Sequence, residues 1–240
     1  MSTSQKDDVE AGSDLLYPLM QESPNLRWAF IRKVYSILTL QLLATIGFAA
    51  MVANVRPVAD FFGATWFGMI IYFVSIILVS TTVLCMLSVY RDKHPLNFIL
   101  LGIFTLTFGF AFGVLAAFTS GRIIIETSIA TTVVVVCLTV YTFWAAKRGQ
   151  DFFFLVPFVL SIVVILIIFT VFQIFFPMGR MFDVLCSGLS VILFCAYIIF
   201  HTAMLIERDS YDDYIWASIT LYLDVLNVFL NLLSIFGRRN

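Results

Sequence analysis

Charge is what this sequence has least of. Lys, Arg, Asp and Glu make up only 12% of the 240 residues, about half the share of an ordinary soluble domain. The few charges nearly cancel, leaving a formal net charge of −1. Without a basic excess there is no electrostatic case for nucleic-acid binding. The four cysteines, Cys85, Cys137, Cys186 and Cys195, all lie in apolar runs and lack metal-ligand spacing. They read as small buried hydrophobes, neither disulfides nor zinc ligands. Missing too are Gly-x-Ser-x-Gly, His-Glu-x-x-His, Gly-x-Gly-x-x-Gly and the P-loop pattern, so no enzyme class is indicated and no cofactor is expected. Residues 1–26 are polar and rather acidic, with no cleavable signal. They read as a short disordered tail preceding one domain over residues 27–240.

What is abundant is apolar sequence, 61% of the chain. It forms seven runs: Val34–Val55, Phe61–Tyr90, Pro95–Gly121, Thr127–Ala146, Phe152–Gly179, Val184–Ile206 and Tyr214–Gly237. A helix needs about 20 residues to cross a hydrocarbon core of ~30 Å, and each run meets that. Stretches such as TTVVVVCLTVYTFW are apolar on every face, which excludes the alternation of a membrane β-barrel. The expected fold is an all-α polytopic membrane protein, a bundle of seven transmembrane helices in a lipid bilayer. Its linkers are Arg56–Asp60, Arg91–His94, the Arg122–Glu126 stretch, Lys147–Asp151, Pro177–Asp183 and Glu207–Asp213, too short for a soluble domain. Lys6, Arg27, Arg32, Lys33, Arg91, Lys93, Lys147, Arg148 and Arg208 fall on one side of the membrane. Only Arg56, Arg122, Arg180, Arg238 and Arg239 fall on the other. The excess predicts a cytosolic N-terminus, and seven crossings put the C-terminus on the far side, whereas a re-entrant last segment, which its buried Asp allows, would return it to the cytosol.

Two ionisable groups interrupt the runs. Asp224 sits in the middle of the last one, where a carboxylate costs about 2.5–3.5 kcal/mol to insert. Thr220, Asp224, Asn227 and Asn231 are spaced four, three and four apart, so they share one helix face. The plain reading of such a face is interhelical hydrogen bonding. The sixth run carries a matching stripe of Asp183, Ser187, Ser190, Phe194, Tyr197 and His201. Folding the chain back at Glu207–Asp213 brings His201 and Asp224 to one depth, which makes an Asp–His contact natural. The carboxylate favours the imidazolium and burial favours the neutral ring, so the charge state of the pair stays open. The plainer alternative for His201 is a neutral ring bonded to Tyr or backbone.

Other positions have simpler readings. Arg91 is either a positive-inside anchor or a group reaching toward Asp224 or Asp213. Arg122 and Glu126 form an i, i+4 pair. Gly109 and Gly113, with Gly102 earlier, permit close helix packing inside the bundle. Pro157 marks a first turn or a kink.

Several long motifs resemble a known family. The segment YDDYIWASITLYLDVLNVFLNLLSIF is similar to the closing signature of the Bax inhibitor / lifeguard family, also called the transmembrane Bax inhibitor motif family. RDKHPLNFILLGIFTLTFGFAFG, ETSIATT and VYTFWAAKRGQDFFFL extend the likeness, and LRWAFIRKVYSILTLQLLAT resembles its plant lifeguard branch. The resemblance implies a seven-helix suppressor of programmed cell death in endoplasmic reticulum or another endomembrane. It implies relatives that leak calcium, with calcium a permeant ion and no cofactor, and partners among cell-death or calcium-signalling membrane proteins. The family holds a pair of aspartates on the last two long helices as a pH-sensitive latch. The second matches Asp224, whereas His201 stands where the first is expected. The family's basic residue at the end of the second helix matches Arg91. Calcium prefers several oxygen ligands and imidazole substitutes poorly, so a non-conducting regulator acting through partner proteins is the alternative.

Overall fold

The computed structural model describes residues 24–90, 93, 95–176, 179–209 and 213–238. Among them are eight α-helices: α1 (Pro24–Asn54), α2 (Arg56–Ala64), α3 (Trp66–Val89), α4 (Leu96–Ala117), α5 (Gly121–Lys147), α6 (Leu155–Phe175), α7 (Arg180–Glu207) and α8 (Tyr214–Gly237). All except α2 are long and apolar enough to cross a membrane, giving seven spans. The protein is an all-α, multi-pass membrane protein.

Three boundaries differ from the run lengths. The described part of α1 runs from Pro24, well before Val34, so residues 24–26 are helical. The stretch expected to link the first two spans is the separate helix α2, with proline in its first turn, where the N–H it lacks would have no partner. Arg122 and Glu126 lie within α5, paired at 2.8 Å. Apolar runs mark what lipid must cover, whereas a helix continues as long as its backbone hydrogen bonds do. Residues 1–23 fall outside the described residues.

The outward faces follow the rules of a lipid solvent. Ile77, Ile125 and Val133 are more than half exposed. Hydroxyls on exposed faces turn back on their own helix: Thr107, Thr132, Ser161 and Thr170 each donate to the carbonyl four residues earlier at 2.8 Å. Hydrocarbon offers them no other partner. Cys85 and Cys137 are exposed, contrary to the expectation of burial. In lipid an apolar thiol gains little by moving inside.

The chain forms two compact units. One comprises residues 36–126. Within it Gly113 of α4 approaches α1 so closely that a Cβ would lie 2.5 Å from Val52 Cβ, and one on Gly109 would meet Phe48 at 3.1 Å. Gly102 has open space beside it and takes no part. Gln41 donates to Thr105 at 3.3 Å across the same contact.

The other unit holds residues 24–35 and 127–238 among those described. Phe152, Leu155, Val159 and Ile162, leading into and along α6, pack with Leu193, Ala196 and Ala203 of α7. α5 ends at Lys147, and Gly149 just beyond it takes a φ of 72°, which favours a residue without a Cβ penalty. Pro157 occupies the first turn of α6. α7 and α8 form a hairpin that carries the candidate site.

Candidate functional site

α8 is an apolar helix with one polar stripe, and α7 presents its own stripe against it. The two touch at three levels. Near the start of α7, Asp183 accepts hydrogen bonds from Arg238 and from Gln173 of α6. One turn further, Ser187 donates to Ser234 at 3.2 Å. Toward the other end, His201 Nδ1 lies 2.6 Å from Asp224 Oδ2. The helical spacing of the two stripes produces this ladder, and the short α7–α8 connection sets its register.

Asp224 is 4% exposed, while the His201 side chain keeps 25%. With Asp224 ionised, Nδ1 carries the proton and donates to the carboxylate. Tyr197 stacks on the imidazole at 5.5 Å with rings 10° apart, and Phe200 meets it edge-on at 5.7 Å. These rings fix the imidazole plane toward Asp224.

Among the described residues, the rest of the α8 stripe bonds within its own helix. Thr220 donates to Ala217 O at 3.0 Å, Asn227 to Leu223 O and Asn231 to Asn227 O, both at 2.8 Å. All three are half-buried. The expected interhelical bonds give way to intrahelical ones because an i−3 or i−4 carbonyl lies within reach of each of these side chains. Between Ser187–Ser234 and His201–Asp224, the seam is thus lined by half-buried polar groups satisfied within their own helices. Asp213 precedes the first turn of α8, roughly 16 Å from Asp224 at about 1.5 Å per residue, so it does not join the pair. Arg91 lies outside the described residues.

Sequence reasoning missed Arg27. It is 1% exposed and donates through one guanidinium nitrogen to the carbonyls of Leu205 (3.4 Å) and Asp209 (2.6 Å). It thereby caps the end of α7 about a turn beyond His201, satisfying carbonyls that a helix end leaves bare. Lys33, two turns along α1, lies 3.2 Å over the Tyr214 ring at the start of α8. Both had read as positive-inside charges. A burial pattern that exists only once α1 packs on the hairpin could not be seen in the sequence. Burial pushes the Asp209 carboxyl above its ordinary range, and the Arg27 and His201 charges oppose that. Glu207, 3% exposed, leaves Oε1 without a hydrogen-bond partner among the described residues. No cluster of three or more His, Cys, Asp or Glu residues arranged for a metal occurs among the described residues.

Comparison with known proteins shows the family. The family described as "Inhibitor of apoptosis-promoting Bax1" matches residues 27–240. Protein LIFEGUARD 4 of Arabidopsis thaliana is 54% identical over 235 residues, covering 96% of this chain and 95% of that protein. Bax inhibitor 1 of Schizosaccharomyces pombe is 32% identical over 225 residues, 92% of this chain and 80% of that protein. The Golgi anti-apoptotic protein of Vaccinia virus is 31% identical over 233 residues, 97% and 93% respectively. A match over nearly the whole chain, with identity rising above half in a plant lifeguard protein, makes this chain a member of the Bax inhibitor family, on its lifeguard side.

Proposed function

We propose that this protein suppresses programmed cell death from an endomembrane, with its N-terminus cytosolic, as a proton-sensitive calcium leak closed by the His201–Asp224 contact. It works without an enzymatic step or a resident cofactor, and calcium is the permeant ion. The observation that carries the reading is a buried carboxylate held 2.6 Å from an imidazole in the middle of a membrane helix, since ionisable groups at that depth mark ion and proton pathways. The names of the relatives, Bax inhibitor 1 and Golgi anti-apoptotic protein, support the cell-death role. An imidazolium at His201 would pair with the Asp224 carboxylate across this contact and hold the seam shut. Calcium flux into vesicles holding the purified protein tests this across about pH 5–8, where histidines commonly titrate. Asp224→Asn, which removes the carboxylate that His201 meets, should change the leak and flatten its pH dependence. His201→Asp should raise it and steepen its pH dependence, because two carboxylates at one depth offer oxygen ligands and couple their titrations. Equal leak in wild type and His201→Asp at every pH makes His201 a bystander.

One observation favours a second reading. An imidazole fills the position opposite Asp224, leaving a lone carboxylate there for a hard cation. On this reading the protein conducts nothing and acts through contacts with cell-death or calcium-signalling membrane proteins. Protection of cells by a wild type that shows no vesicle flux would favour it.

A further inference from the structure

α2 divides into three sectors. Ala59 is 1% exposed, Phe62 packs edge-on against Phe110 of α4 at 5.3 Å, and a Cβ on Gly63 would enter the Phe118 ring. These residues hold the inner face. On the opposite side Pro57, Phe61 and Ala64 share a face at helical spacing and are all exposed, Phe61 at 47%. Arg56 and Asp60, four residues apart and exposed, form a polar flank between them.

The helix also departs from the axis of the span that follows. Thr65 alone, extended at φ −98° and ψ 129°, ends α2 and begins α3. A Cβ on Gly68 would lie 1.8 Å from the Phe61 carbonyl oxygen, so the last turn of α2 folds back on the first turn of α3. A continuous span would not bring those two turns into contact. Beyond the bend Trp66 is 76% and Phe67 65% exposed. The apolar face of α2 thus runs directly into the exposed face of α3, where Phe73 and Ile77 are 60% and 65% exposed on a membrane span.

We propose that α2 is an interfacial helix seated in the leaflet at the C-terminal end of α1. Its Pro57, Phe61 and Ala64 face enters the upper acyl chains, and Arg56 and Asp60 stay at headgroup level. Trp66 sits at the boundary and fixes the depth of the adjoining spans. A three-sector helix with an apolar face and a charged flank lies in the interface plane, and an indole with an apolar ring and one polar edge concentrates there. Continuity with the exposed face of α3 selects lipid over a second copy of the chain or a soluble partner.

The test places a single tryptophan at position 66, with Trp28, Trp144 and Trp216 changed to Phe, in vesicles of brominated phosphatidylcholine. Bromine near the headgroup should quench roughly two-fold more strongly than bromine near the chain ends, and aqueous iodide should quench weakly. Strongest quenching by deep bromine, or by iodide alone, overturns the proposal. The chain with all four tryptophans in place gives a second measurement. A lipid carrying a diazirine near its headgroup should label residues 56–66 more than one carrying it at the chain end. Phe61→Asp should cut that labelling several-fold, and equal labelling in the two chains refutes lipid seating of this face.

Discussion

α3 and α8 are both 24 residues long, yet they occupy opposite surroundings. α3 has no charged residue and no amide, and only 11% of its apolar stretch is buried in protein. α8 carries Asp224, Asn227 and Asn231, and 44% of its apolar stretch is buried. The oilier helix is outside and the more polar one inside, the reverse of a protein in water. Lipid satisfies apolar surface as well as a core does, so leaving lipid gains α3 nothing. α8 moves inward because its carboxylate must find a partner. The helix that lipid rejects is therefore the helix that carries the chemistry.

The largest break in this contrast is His201→Leu. It removes the donor 2.6 Å from Asp224 and strands a 4%-exposed carboxylate. Losing one partner of a buried pair costs about 3–5 kcal/mol, so the midpoint of thermal unfolding in nanodiscs should fall. The double change His201→Leu with Asp224→Leu should regain most of that loss. A carboxylate moved to the other helix makes the converse case. Ile77→Asp, at a 65%-exposed site on α3, should lower span insertion by about 3 kcal/mol in a glycosylation-mapping assay. Unchanged stability in His201→Leu would mean that Asp224 has another adequate partner.

This logic explains what could be read in advance. The seven spans, the opposed stripes on α7 and α8 and the nearness of His201 to Asp224 all follow from helical spacing and the short loop at 208–213. Local geometry sets them, and local geometry is written in the sequence. Arg27 is different. Its role depends on α1 extending back to Pro24 and laying a guanidinium on the end of a helix 178 residues away, a fact of tertiary packing. The amides of Asn227 and Asn231 misled for the opposite reason. Spacing showed that they share a face, but it could not show that each had already satisfied itself on its own backbone.

The contrast between inward and outward faces also operates within α4. Gly113→Ala pushes a methyl to 2.5 Å from Val52 and 2.9 Å from the Ala49 carbonyl, which cannot swing away. Overpacking of this kind costs about 1–3 kcal/mol. Gly102→Ala meets nothing within 4 Å and should be neutral or stabilising, since alanine is the better helix former. Thermal midpoints of the two variants should therefore move in opposite directions or differ by several degrees. Equal shifts would mean that α4 does not pack on α1 through this glycine.

The smallest effect lies where α7 leaves the membrane and water competes again. Asp209 binds its proton more tightly folded than unfolded, because burial raises its carboxyl against the pull of Arg27 and His201. The folded state then holds the extra proton, and stability falls as pH rises from the ordinary Asp value through the raised one. Above that window the charged carboxylate is a standing cost. Asp209→Asn removes the titration yet keeps the backbone carbonyl that accepts from Arg27 at 2.6 Å. The variant should melt higher than wild type at neutral pH, by an amount on the order of 1 °C. The two should converge as pH falls below about 4, near the unperturbed Asp value. A variant that melts lower than wild type at pH 7 would show that the attraction of Arg27 and His201 outweighs burial, making Asp209 a charged clamp on the hairpin.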